Sequence, residues 1–248
     1  MFRGAGTVVN VATVLLGSGI GVALGHRLPA RTRNVVTDAL GLTTLLVAAL
    51  AAATVNDATL SDAVGPSAPV LIVLGALLLG GIGGSLLRIE DRLEAAGAWL
   101  QQRLTRSTNS AERRRFVEGF VAASLLFCVG PLTVLGSLSD GLGNGADQLI
   151  LKATLDGFAA IAFASSFGWG VAASAVTVAV VQGSLTLVGG LLGQLLPAAH
   201  LVALTATGGL LLVGVGLRLL QIKLLPVGDL LPALLVAPVL TQLVVAFR

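Results

Sequence analysis

Apolar residues dominate the chain in long runs broken by short polar connections. Residues 4–25, 63–87, 119–139 and 230–247 carry no charged side chain, and neither does the stretch from Gly157 to Leu217. Runs of this length match membrane-spanning helices, which need ~20 apolar residues at ~1.5 Å per residue. They predict spans over 5–25, 37–55, 68–87, 116–138, 147–165, 169–196, 200–221 and 228–247, and so an all-α polytopic bundle of seven or eight spans. The count turns on SSFGWG (165–170), which reads either as a tight turn between two spans or as an unwound segment inside the bilayer. None of the runs alternates in the ~10-residue segments of an outer-membrane barrel. The first run is too long for a removable signal peptide and lacks a small-residue cleavage site, so it is read as the first span.

One segment has a different period. In RIEDRLEAAGAWLQQRL (88–104) the apolar residues Ile89, Leu93, Ala96, Leu100 and Leu104 form a helical stripe with charges opposite. Such a helix lies on an anionic leaflet or offers a docking surface to a partner protein.

Composition agrees with the pattern. Hydrophobic residues make up 55% and charged residues 11%, with a mean hydropathy of +0.96, against roughly a quarter charged in soluble domains. One cysteine excludes an internal disulfide, and two histidines leave almost nothing for zinc, so no metal and no cofactor is expected. The net charge of +3 comes from loops at a membrane surface. The bilayer is therefore the expected partner, and nucleic acid is not.

Arginine placement orients the bundle. Arg88, Arg92, Arg103, Arg106, Arg113, Arg114 and Arg115 cluster in one connection, which marks 88–115 as cytoplasmic. Loops with Arg27, Arg31 and Arg33 and with Arg218 and Lys223 fall on the same side. NDATLSD (56–62) and SDGLGNGAD (139–147), with Asp and no Lys or Arg, fall outside, as do both termini.

Residues 21–47 align without a gap onto 189–215, pairing Gly21 with Gly189, Gly25 with Gly193, Pro29 with Pro197 and Gly41 with Gly209; 10 of the 27 positions are identical. The single membrane domain (1–248) then divides into a first repeat (1–87), the basic segment (88–115), a central broken-helix pair (116–168) and a second repeat (169–248). On the eight-span count the copies are inverted, an architecture of many secondary transporters.

The blocks AASLLFCVGPLTVLGSLSDG (122–141), LKATLDGFAAIAFA (151–164) and SAVTVAVVQGSLTL (174–187) recur in order in a known group. Over nearly its whole length the chain resembles domain-of-unknown-function family 554, the YqgA-like bacterial inner-membrane proteins. The resemblance implies a multi-spanning protein of a bacterial cytoplasmic (inner) membrane and leaves the chemistry to the residues.

The candidate site starts from Gly130–Pro131, in the middle of the fourth span. Non-helical backbone inside lipid is tolerated where protein covers it or where it lines a wet cavity. Pro131 suits the first turn of a half-helix whose N–H groups point to mid-membrane, though an ordinary proline kink explains it equally. Asp140 closes the same segment. Lys152 and Asp156 lie four apart on one face of the fifth span. Asp156 is ~14 Å into the span by the helical rise, and Lys152 is close enough to its end to be an anchor. Their pairing fits packing or an ion-coupling carboxylate alike. Gln182 and Asn10 read as interhelical glue or as site residues. Gly17, Gly21 and Gly25 form a small-residue ladder that suits packing within one subunit or a homodimer seam. The glycines of VVNVATVLLGSGIG (8–21) imitate a dinucleotide turn but lie in a span.

Two function classes follow. One is a secondary transporter or channel for a small solute or ion, with a midplane site at Asp156, Lys152, Gly130, Pro131, Asp140, Gln182 and Asn10. The other is a non-transporting scaffold or sensor that recruits a partner through 88–115. An enzyme is not expected, because HExxH and GxSxG are absent and His26 and His200 sit at span ends.

Overall fold

The computed structural model describes residues 2–25, 29–104, 110–128, 131–143, 145–192 and 197–247. Among them every regular element is a helix, as expected of a chain whose backbone groups must be satisfied within each segment in lipid. The order is α1 (Ala5–Gly25), α2 (Ala30–Ala53), α3 (Ala58–Val64), α4 (Ala68–Leu86), α5 (Ile89–Leu104), α6 (Ser110–Cys128), α7 (Pro131–Leu142), α8 (Asp147–Phe167), α9 (Trp169–Leu192), α10 (Ala198–Leu219), α11 (Val227–Leu230) and α12 (Ala233–Ala246). Seven stretches of the described residues are long and apolar enough to cross a membrane: α1, 34–64, α4, α8, 169–190, α10 and 227–246. The pair α6 and α7, whose axes diverge by 75°, makes an eighth if it is one span.

The SSFGWG segment is a tight turn. Gly168 alone separates α8 from α9 and has φ +72°, a conformation that costs a residue without Cβ little. After α2 a short 3-10 turn leads to Asp57, whose carboxylate accepts the Thr59 N–H at 2.8 Å and opens α3. The amphipathic stripe at 88–104 is α5, entered through Arg88 at φ +51°.

The chain divides into two compact units, Met1–Leu40 with Glu94–Leu195, and Gly41–Leu93 with Leu196–Arg248, so the boundary falls inside α2 and α5. Each unit draws on both ends of the chain.

In the second unit small residues face inward. Its core is Leu60, Val64, Ile72, Ala76, Ala199, Ala203, Ala233 and Ala237, while Leu71, Leu74, Leu78 and Leu235 face outward. That is the distribution expected where lipid covers the outside and close backbone approach holds the inside. α2 packs on α10 and α4 on α12, both antiparallel. A Cβ at Gly41 would meet Leu220, and one at Gly209 would meet the backbone of Ala52. Carried on without a gap, the 21–47 alignment pairs Ala52 with Leu220, so exchanging each residue for its repeat equivalent carries one contact onto the other. The charged end of α5 is also fixed here. Glu90 pairs with Arg218 and accepts the Gly228 N–H, while Asp229 accepts the Glu90 N–H at 2.9 Å.

In the first unit α1 and α8 run parallel in close contact. A Cβ at Gly17, Gly21 or Gly25 would overlap the carbonyl oxygens of Gly157, Ile161 and Ser165 in turn, four residues apart on each helix. The ladder is thus used inside the chain, against α8. α6 runs along α9 in the same direction, with Phe116 beside Gly170 and Ser124 bonded to Thr177 at 3.0 Å. At the C-terminal end of α8, Arg115 donates to the Ser165 and Ser166 carbonyls. α6 is therefore antiparallel to α8, and α9 is antiparallel to α1.

Candidate functional site

The polar interior of the first unit is built on that register. Asp156 and Lys152, one turn apart on α8, form an ion pair, and both are turned inward, at 7% and 6% exposure. Lys152 is not extended to the surface as an interfacial anchor would be. Asn10 Nδ2, on α1, donates to the same Asp156 Oδ2 at 2.9 Å. One carboxylate oxygen thus receives an ammonium and an amide, a charge-assisted arrangement that holds both side chains.

Gln182 reaches the same level from α9. Thr7 and Thr186 share a hydrogen bond of 3.3 Å across the antiparallel α1 and α9. Asn10 lies three residues beyond Thr7, and Gln182 lies four before Thr186. Each is about one turn, ~5 Å, further along the seam in the same direction. Both are fully buried. Neither amide atom of Gln182 has a hydrogen-bond partner among the described residues, and the same holds for Asn10 Oδ1. Buried polar atoms are normally paired, so unpaired ones call for an explanation.

The helix break sits beside this cluster. Cys128, the last residue of α6, lies within electrostatic reach of Lys152 and Asp156. Pro131 opens α7, where its missing N–H removes no helical bond. Thr133 Oγ1 donates back across the break to the Phe127 carbonyl at 3.2 Å, satisfying one of the last acceptors of α6. Gly130 lies outside the described residues, as do His26 and Gly193.

Asp140 does something that the sequence reading did not anticipate. The sequence puts it at the start of the external segment 139–147 and among the candidate site residues; it lies in the last part of α7 at 3% exposure. Its two oxygens accept the Gly4 and Gly6 N–H groups at 3.1 and 3.0 Å, so it caps the N-terminus of α1 from a distant helix. A carboxylate there meets both free donors and the positive end of the helix dipole. It stands about a turn and a half of α1 from Asn10. The Thr7–Thr186 and Ser124–Thr177 bonds and the Glu90–Arg218–Asp229 cluster were also missed. Threonines within spans give no signal, because they satisfy themselves on their own helix as readily as on a neighbour.

Among the described residues, the structure therefore brings Asn10, Lys152 and Asp156 into direct contact and sets Gln182 and Cys128 at their level, with Asp140 serving α1.

Helices of this length and apolarity, with charge held inside, define a multi-pass helical membrane protein. The model of the family "Protein of unknown function (DUF554)" matches residues 5–242, and the chain belongs to that family. It is 32% identical over 232 residues to "Uncharacterized protein YqgA" of Escherichia coli (strain K12), covering 94% of each chain. It is 29% identical over 244 residues to "Uncharacterized membrane protein YdfK" of Bacillus subtilis (strain 168), covering 98% of this chain and 97% of the other. No solved structure matches the chain.

Proposed function

We propose that the chain is a secondary transporter or channel for a small solute or ion in a bacterial cytoplasmic membrane, with its site at Asn10, Lys152, Asp156 and Gln182 beside the α6–α7 break. The observation that carries this reading is the buried cluster of Lys152, Asp156 and Asn10, with the unpaired Gln182 amide at its level. Charge and unsatisfied polar atoms in a membrane interior are costly, and they mark solute or ion paths more often than packing. A purely structural interior would be expected to close such atoms off.

The arrangement of helices supports it. α1 against α9 and α2 against α10 are antiparallel pairs of repeat-equivalent helices, and the Gly41 and Gly209 contacts exchange under the repeat. Antiparallel packing of equivalent helices within each unit is what an inverted repeat would produce, and inverted-repeat transporters place their sites at mid-membrane beside broken helices. The arginine pattern supports a cytoplasmic position for 88–115.

The test is reconstitution. Proteoliposomes are challenged with a panel of neutral solutes and alkali salts, and their volume change is followed by light scattering. At least one member should cross faster than in protein-free vesicles, and the double variant Asp156→Asn, Lys152→Gln should remove the difference. A panel in which no member crosses faster refutes the reading.

A further inference from the structure

The ligand class can be argued from what the cluster leaves unpaired. Among the described residues the buried Asp, Glu, Lys and Arg side chains are Asp140, Lys152 and Asp156, and each charge is already met. Lys152 and Asn10 satisfy Asp156, and the first N–H groups of α1 satisfy Asp140. An ion of either sign entering at this level finds no spare counter-charge and would be desolvated without compensation. Among the described residues of the first unit the unpaired buried side-chain atoms are neutral: the hydroxyls of Ser18 and Ser137 and, at the level of the cluster, Gln182 Nε2, Gln182 Oε1 and Asn10 Oδ1. The Gln182 and Asn10 side chains stand at one level of the α1–α9 seam, fixed by the Thr7–Thr186 bond one turn away, and have no hydrogen bond to each other.

We infer that the site takes an uncharged, amide-like solute, one carbonyl acceptor with two N–H donors, bridging Gln182 and Asn10. The carbonyl would accept from Gln182 Nε2, and the N–H groups would donate to Gln182 Oε1 and Asn10 Oδ1. Each of the three unpaired amide atoms then gains a partner of the complementary kind. The inference rests on the transport reading above and names its substrate class.

Isosteric pairs separate charge from shape: acetamide against acetate, and urea against guanidinium. Two measurements are made on the purified full chain. One is the thermal midpoint by intrinsic fluorescence with about 50 mM of each probe, where a ligand specific to the folded state raises stability by mass action. The other is proteoliposome permeation of the same four probes. Acetamide and urea should raise the midpoint by a few degrees and cross about tenfold faster than in protein-free vesicles, while acetate and guanidinium do neither. Gln182→Leu should lose both effects yet keep a midpoint equal to or above that of the wild type, because it removes unpaired buried atoms. Charged probes that act as well as their neutral isosteres, or a Gln182→Leu protein that responds like the wild type, overturn the inference. Salt flux without solute flux does so too, and leaves the transport reading standing. Neutral binding without flux removes transport and keeps the ligand class. Neither binding nor flux overturns both.

Discussion

The Lys152–Asp156 pair permits a test whose two arms should be unequal. Removing one member of a buried pair strands the other, at a cost of ~3–5 kcal/mol, whereas removing both costs much less. The strandings are not equivalent here. Lys152 lies five residues into α8, ~7.5 Å from its start, and a released ammonium on a four-carbon stem can extend to the interface. Asp156 lies nine residues in on a one-carbon stem and cannot. Lys152→Gln should therefore lose the full ~3–5 kcal/mol, and Asp156→Asn about half of it, since its amide oxygen still accepts from Asn10 and Lys152 escapes. At ~2–4 °C per kcal/mol for a chain of this size, the midpoints fall by roughly 10 °C and 5 °C. The double variant should recover to within a few degrees of the wild type. Fluorescence-detected unfolding in one detergent at one scan rate ranks the proteins even where unfolding is irreversible. Additive losses, with the double variant the least stable of the four, would refute the reasoning, as would an Asp156→Asn loss larger than that of Lys152→Gln.

Gly21→Val places a side chain against the Ile161 carbonyl and should cost several degrees, while Gly19→Ala and Gly183→Ala, which meet nothing within 4 Å, should gain up to ~1 kcal/mol of helix propensity; equal effects in a thermal ranking would contradict the α1–α8 packing. Asp140→Ala removes both side-chain acceptors from the start of α1, at ~2–4 kcal/mol, and should speed amide exchange at residues 4–7, with Asp140→Asn intermediate; unchanged exchange counts against the cap. With Cys128→Ala as background, single cysteines at Thr59 and Gly145 should react with an impermeant maleimide in intact cells and one at Ser107 should not, and the reverse pattern inverts the orientation.

What the sequence made legible is what one helix carries. The spans follow from uncharged runs, the α5 helix from a stripe of period 3.6, and the facing of Lys152 and Asp156 from an i, i+4 spacing. Each depends on residues close in the chain. The cap by Asp140 did not follow, because it joins residues more than a hundred positions apart, and an aspartate followed by glycine also reads as a loop. The inward turn of Glu90 was hidden for the same reason. Its stripe places charge opposite the apolar face, but only the tertiary contact says that Arg218 and the Gly228 N–H meet it.

Packing and site are nevertheless one problem, and the glycines connect them. Gly17, Gly21 and Gly25 each stand against a carbonyl of α8 with no room for a Cβ, so α1 cannot slide on α8 without driving a larger residue into that backbone. A shift by one four-residue step of the ladder would bring Thr13 to the Gly157 carbonyl and carry Asn10 ~6 Å from Asp156, beyond hydrogen-bond reach. Among the described residues Lys152 would then be the one partner left to the carboxylate, and the Asn10 side chain would lose the bond it makes. The ladder that reads in the sequence as a packing motif therefore also fixes the height at which the polar groups of α1 and α8 meet. The Thr7–Thr186 bond does the same for α9. A substitution in the ladder should thus disturb the site as strongly as one in the cluster, although no ladder glycine touches Asp156.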